Sequence, residues 1–309
     1  MELRTIANTK LSVSPLCLGT MTFGTPVGEK EAIRIVHHSL EKGLNFFDTA
    51  NMYEGYNRYL GSPGGVAEKI LGKALKGKYE SCVVATKVGM KIGPSQADQG
   101  LSRKHIIREC ERSLKRLGID RIDLYYMHKP DPGVSMEESI EAFDLLVQEG
   151  KIKYWGLSNF DAEKTKAVLH FCDANEKTRP VAHQPAYSLL NRGIEKDLLP
   201  LCKNNNLSVF PYQVLQGGLL TGKYADTERP PKRSRVDLKP EWLPKFNNKQ
   251  MQEQLKILVK QAKDKNRSIL EHTLIETLKT NVICSLIVGV TNTDQLNQII
   301  GILSKASEN

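Results

Sequence analysis

The sequence predicts an α/β fold, a (β/α)8 TIM barrel with an N-terminal β-hairpin. Three observations carry this prediction. Eight short apolar runs alternate with amphipathic segments along nearly the whole chain. The runs are rich in Val, Ile, Leu and aromatic residues, as parallel strands covered on both faces require. The length of 309 residues suits eight such units in one barrel and is enough to bury a sizeable core.

The elements follow in order. "LRTIANTKLSVS" holds two short alternating runs around Asn8 and reads as a hairpin ahead of the barrel. The strand runs are "SPLCLGT", "NFFDTA", "SCVVATKVG", "RIDLYYMHK", "YWGLSN", "VAHQPAY", "LSVFPYQV" and "VICSLIVGV". Among the helices, "SRKHIIRECERSLKRLG" opens on Ser102, repeats Ile106, Cys110, Leu114 and Leu117 on one face and stops at Gly118. "SMEESIEAFDLLVQEG" pairs Ser135 with Glu138 in a capping box and stops at Gly150. Residues 225–248 are rich in Pro and charge and interrupt the alternation, which predicts a long functional loop or lid. With no repeat, low-complexity tract or linker, residues 1–309 read as one domain.

Bulk properties narrow the function classes. The chain is 40% hydrophobic and 26% charged, ordinary for a globular protein. Its net charge of +9 raises nucleic acid as a partner, but the basic residues are interleaved with acidic ones along helix faces. The densest cluster, "PPKRSRVDLK", has no aromatic stacking pattern and suits a small phosphorylated molecule better. No apolar run approaches membrane-spanning length. The N-terminus has neither a signal core nor transit character. The cysteines at 17, 82, 110, 172, 202 and 284 form no C-x-x-C pair, and Cys17, Cys82 and Cys284 fall in strand runs as buried free thiols. A cytoplasmic location is expected.

A barrel carries its chemistry at the C-terminal ends of its strands. There the sequence puts Asp48 and Tyr53, Lys87, His128, Ser158 and Asn159, Gln184 and Tyr212. Singly, each has an ordinary structural explanation. Together they place polar groups at one end of most strands, which packing does not require. Acid, amine, phenol and imidazole suit delivery of a proton to a carbonyl oxygen as hydride reaches its carbon. A free phenol titrates near pH ~10. A neighbouring ammonium lowers that value, a carboxylate keeps the ammonium charged, and an imidazole orients the carbonyl.

On "CLGTMTFG", "FFDTANMY", "ATKVG", "MHKPDP", "WGLSNF", "GGLLTGKY" and "VGVTNTDQL", in this order, the chain resembles the aldo-keto reductase superfamily almost end to end. "GLSRKHII" resembles the branch of the potassium-channel beta subunits. The resemblance implies a tetrad of Asp48, Tyr53, Lys87 and His128, and a nicotinamide cofactor held without a Rossmann fold. It assigns Ser158, Asn159 and Gln184 to the carboxamide and Tyr212 to the nicotinamide face. Residues 213–223, including Gln213, Val214, Leu215, Gln216 and Gly218, match the loop under the pyrophosphate. Lys223, Ser234 and Arg235 match phosphate contacts, and Gly289, Thr291 and Gln295 the adenosine end. Thr20, Met21 and Asp48 complete the cofactor set. Phe23, Tyr56 and Tyr59 are the candidate substrate contacts, the last two on a loop after Tyr53 longer than the family's usual turn.

The chain departs from the family pattern at three places. Gln213-Val214 replaces the usual Ser-Pro, Gln298 and Ile299 replace an acid–amide pair, and no Arg stands at Thr291 or Asn292. Lys223 and Arg235 still favour NADP over NAD. Competing motifs fail: Tyr224 stands where a P-loop needs Ser or Thr, "LGTMTFG" lacks G-x-G-x-x-G, and no metal-ligand spacing occurs. The expected activity is NADP(H)-dependent interconversion of a small-molecule carbonyl and an alcohol, with no nucleic acid or membrane partner and no metal. A Schiff-base aldolase using Lys87 and a cofactor-binding regulatory subunit are the rivals. Substrate and oligomeric state stay open.

Overall fold

The hairpin and all eight strands predicted from sequence are present in the computed structural model, which describes residues 1–224, 231–232, 234–242 and 248–307. Strands β1 (Arg4–Thr5) and β2 (Ser12–Val13) pair antiparallel, with Asn8 in the left-handed region at the turn (φ 60°). The barrel strands are β3 (Leu16–Gly19), β4 (Phe46–Asp48), β5 (Val83–Val88), β6 (Ile122–Met127), β7 (Ile152–Ser158), β8 (Ala182–Gln184), β9 (Ser208–Val209) and β10 (Leu286–Val288). All pair in parallel, each with its chain neighbour, and β10 returns to β3. The barrel closes where Cys284 N–H donates to the Val209 carbonyl (2.9 Å) and Ile287 N–H to that of Pro211 (3.0 Å).

Helices cover the outside: α1 (Glu29–Glu41), α2 (Val66–Leu75), α3 (Arg103–Leu117), α4 (Met136–Gln148), α5 (Ala162–Ala174), α6 (Leu198–Asn204), α7 (Arg235–Leu238), α8 (Lys249–Asp264), α9 (Ile269–Leu278) and α10 (Thr293–Ser307). The predicted caps form. Ser102 and Ser135 accept from the backbone N–H of His105 and Glu138, and Gly118 and Gly150 take left-handed conformations at the helix ends. The predicted 225–248 loop lies partly outside the described residues; within it, α7 and a 3-10 turn at Pro240–Trp242 are described.

Strand parity divides the core in two. Cys17, Phe46, Ala85, Leu124, Tyr126, Ala182, Phe210 and Ile287 fill the barrel interior, joined by Ile6 and Val13 of the hairpin. Alternate residues such as Leu18, Phe47, Val84, Tyr125 and Leu157 face the helices. The interior is filled to the point that Gly156 is obligatory: a Cβ there would lie 2.6 Å from the Tyr126 ring and 2.7 Å from the Ala182 carbonyl. All six cysteines are free and buried. Among the described residues no helix is long and apolar enough to cross a membrane.

His183 on β8 gives the fold a pH dependence. It is fully buried, and burial holds its imidazole down to about 4. The unfolded side chain titrates near ~6.5, so on acidification the unfolded chain takes the proton first. Stability contributed at neutral pH should therefore be lost between about pH 6.5 and 4, by about 3 kcal/mol at the lower end. Urea midpoints across this range are the measurement, and His183→Gln should flatten the slope; an unchanged slope in that variant would assign it elsewhere.

Candidate active site

Parity also builds the site. The last inward positions of consecutive strands are Asp48 on β4, Lys87 on β5, His128 just past β6, Ser158 on β7, Gln184 on β8 and Tyr212 past β9. Tyr53 arrives from the loop after β4, whose start is held to the barrel by Thr49 N–H to Ala85 O and Asn51 N–H to Lys87 O. A run of apolar residues can thus end in a carboxylate because that residue caps the packed interior and faces its partners.

Lys87 is the centre. It is fully buried, and its ammonium donates to Asp48 Oδ1 (2.6 Å), the Thr49 carbonyl (2.7 Å) and the Tyr53 phenol oxygen (3.3 Å), using all three protons. The ammonium also lies 4.8 Å from the Tyr53 ring centre. Burial disfavours its charge, but Asp48 and Tyr53 outweigh burial and hold its pKa above the ordinary lysine value. For Tyr53 the balance runs the other way. Burial pushes the phenol up more than Lys87 pulls it down, so its net shift is upward. Lys87 lowers the phenol in the direction expected from the sequence, but its pull offsets a desolvation penalty and does not bring the phenol below its ordinary value. The His128 ring meets Tyr53 edge-on, centroids 6.0 Å apart. Burial, then Lys87, Lys129 and Arg58, hold its imidazole well below the usual histidine range, so it is neutral at physiological pH.

The other predicted residues join this cluster. Gln184 Nε2 donates to Asp48 Oδ2 (2.8 Å), so both carboxylate oxygens are engaged. Ser158 donates to the Gln184 carbonyl (2.9 Å), Asn159 Nδ2 to the His128 carbonyl (2.8 Å), and the Tyr212 hydroxyl to Asn159 Oδ1 (2.6 Å). Asn159 sits at φ 62°, a conformation Asn tolerates, which turns its amide back toward His128. Thr20 is tied to the Asp48 carbonyl through its N–H and hydroxyl, and Met21 follows it half-buried.

Beyond Tyr212 the chain turns tightly, with positive φ at Gln213, Gln216, Gly217 and Gly218. Val214 and Leu215 anchor the turn in the core, and Gln216 accepts from Ser188. A Cβ on Gly218 would lie 2.5 Å from Lys223 Cε, so glycine lets the lysine lie back over the turn. Ser234 caps α7, and Arg235 Nε donates to the Tyr56 hydroxyl (3.1 Å). Gly289 and Thr291 lie between β10 and α10, where Gln295 accepts from the Thr291 N–H (2.9 Å). Two substrate expectations change. Phe23 is fully buried in the outer core because the Thr20–Val27 turn folds it inward, and Tyr56 is only 5% exposed beneath Arg235. Tyr59 stays 66% exposed.

Sequence reasoning missed several groups. The Thr49 carbonyl carries no side-chain signal at all. Arg58 and Lys129, both on loops, help lower the His128 imidazole, and Glu68, Glu109 and Arg116 form a buried network behind Asn51 and Thr86. Buried acids on otherwise apolar helix faces are the signal that could have revealed that network. A separate crevice of about 960 Å³, lined by Arg192, Glu195, His272 and Glu276, contains none of the predicted site residues.

A closed parallel barrel with a buried ion pair, a phenol and an imidazole at the C-terminal strand ends defines a barrel enzyme class. The Aldo/keto reductase family model matches residues 15–308. An uncharacterized oxidoreductase, YrpG, of Bacillus subtilis is 43% identical over 237 residues, covering 72% of this chain and 69% of its own. The L-glyceraldehyde 3-phosphate reductase of Escherichia coli K12 is 29% identical over 314 residues, covering 98% and 88%. The holo form of aldo-keto reductase AKR11C1 from Bacillus halodurans superposes with a TM-score of 0.77 at 29% identity, over 98% of this chain and 91% of that one. A probable voltage-gated potassium channel subunit beta of Arabidopsis thaliana is 34% identical over 229 residues, covering 72% and 67%. The chain belongs to the aldo/keto reductase family, a family of carbonyl–alcohol oxidoreductases.

Proposed function

We propose that the protein is an NADP(H)-dependent reductase that interconverts a small-molecule carbonyl and an alcohol, with Tyr53 as the general acid/base. The observation that carries this reading is the Lys87 ammonium bonded at once to Asp48 and Tyr53. In the reducing direction Tyr53 gives its proton to the carbonyl oxygen. Lys87 stabilises the phenolate that remains, Asp48 keeps Lys87 charged and in place, and neutral His128 donates to the same oxygen. A bound nicotinamide dinucleotide supplies the hydride. Its fit is supported by the Ser158–Asn159–Gln184–Tyr212 cluster beside the tetrad, and by Gly218, which leaves room for Lys223 over the following turn. Residues 1–309 act as one domain in this reading, and the cytoplasm is its proposed location.

The aldolase reading is disfavoured, since a Schiff base needs a neutral amine and Lys87 is held protonated. The likeness to channel beta subunits supports a second reading, a cofactor-binding regulatory subunit. Loss of NADPH absorbance with a panel of aldehydes, ketones and sugars tests the first. Cofactor binding without turnover of any of them would favour the second.

Cofactor choice gives a quantitative check. Lys223 and Arg235 form no ion pair among the described residues, so both cations are available to an extra phosphate. NADPH should bind more tightly than NADH by roughly tenfold or more, the scale of one or two charge-assisted bonds. Arg235→Ala should weaken NADPH more than NADH. Calorimetric dissociation constants decide it, and equal values in the wild type would reject the preference.

A further inference from the structure

Three cations, Lys87, Lys129 and Arg58, contribute to the field at His128, and among the described residues only Lys87 has an ion-pair partner. Lys87 has Asp48, but Arg58 and Lys129 form no ion pair among the described residues. Lys129 directly follows His128 and is exposed. Arg58 comes from the loop after Tyr53, and its terminal nitrogen donates to the Lys91 carbonyl on the loop after β5. Among the described residues its Nε is buried with no acceptor. A desolvated donor left unmade costs about 1–3 kcal/mol, more for a charged group, so the position implies an acceptor from outside the chain.

The nearby carboxylates do not supply it. Glu54 accepts from Ser62, Asp131 from the N–H groups of Leu101 and Gly133, and Asp98 from Arg108 and the Ser95 N–H. The Arg58 loop is also well braced, with Gly93 N–H bonded to Ser62 O (2.7 Å) and Tyr56 N–H to Thr25 O (2.8 Å). Arg58 thus meets the loop leaving β5 three residues after Val88, whose carbonyl accepts from the His128 N–H (2.8 Å), and Lys129 follows His128 in the chain. With burial and Lys87, the two cations lower the His128 imidazole and keep it neutral.

We propose that Arg58, assisted by Lys129, is a specificity-determining anion subsite, and that the preferred substrates are short carbonyl compounds bearing a carboxylate or phosphate. The inference rests on the reductase reading and deepens it. The guanidinium fork suits either oxyanion, and the ammonium adds a second, solvated charge.

The test compares kcat/KM within two substrate pairs: 4-carboxybenzaldehyde against methyl 4-formylbenzoate, and glyceraldehyde 3-phosphate against glyceraldehyde. The wild type should favour the anionic member of at least one pair by about tenfold or more, chiefly through KM. Preference in the first pair alone identifies a carboxylate, in the second alone a phosphate. Arg58→Gln should bring the ratio toward one, Lys129→Gln less so, and Arg58→Lys should keep part of it. Because the ratio is internal to each variant, partial unfolding cancels. Equal use of both members in both pairs, or a ratio unchanged in the Arg58→Gln/Lys129→Gln double variant, overturns the subsite and leaves the reductase reading standing. Failure to reduce any carbonyl overturns both.

Discussion

Tyr53→Phe is expected to lower kcat by about two to four orders of magnitude, the usual share of general acid–base catalysis. The substitution keeps the ring against His128 and under the Lys87 ammonium and removes only the hydroxyl. Cofactor affinity and thermal midpoint should stay close to wild type. Lys87→Met should lose a comparable factor, because burial then raises the phenol's pKa unopposed. Asp48→Asn should be milder, since Lys87 keeps its bonds to the Thr49 carbonyl and Tyr53. The losses in Tyr53→Phe/Lys87→Met should not add, because both residues serve one proton transfer. Steady-state rates with a verified substrate are the measurement, and near-normal turnover in Tyr53→Phe would remove Tyr53 from the chemistry.

Arg116→Met should destabilise the fold by about 3–5 kcal/mol, the cost of breaking a buried ion pair from one side. Glu68 and Glu109 are both fully buried. Arg116 Nε donates to Glu68 Oε2 (2.5 Å), and its NH2 lies 3.8 Å from Glu109 Oε2. The guanidinium passes over Gly65, where a Cβ would lie 2.4 Å from Arg116 Cδ. The acids reach the site from behind, Glu68 accepting from Thr86 beside Lys87 (2.6 Å) and Glu109 from Asn51 on the Tyr53 loop (3.4 Å). Arg112 stays on Glu109 (2.9 Å), so Glu68 suffers most. Arg116→Met/Glu68→Gln should recover part of the loss, since an amide is less costly than an acid to leave unmatched. Urea unfolding measures both, and a cost below about 1 kcal/mol in the single variant would show that the network carries little of the stability.

The sequence by itself determined the architecture. Eight β-branched and aromatic runs separated by capped amphipathic helices leave a closed parallel barrel as the packing that covers every face, and the Ser102, Ser135, Gly118 and Gly150 caps formed as read. It also determined which polar residues meet at the strand ends. Strand parity and a common direction are local properties, so Asp48, Lys87, His128, Ser158 and Gln184 could be placed on one rim from spacing alone. Tertiary structure decided how those groups are balanced. The upward shift of Tyr53 depends on how deeply the loop after β4 is buried, and the partners of Lys87 include a backbone carbonyl that no side-chain pattern announces. It also decided that Phe23 faces the core, that Tyr56 lies under Arg235, and that Arg58 bonds the Lys91 carbonyl across separate loops. Loop geometry is set by contacts between residues far apart in the chain, and burial, which governs electrostatic strength, exists only once those contacts have formed.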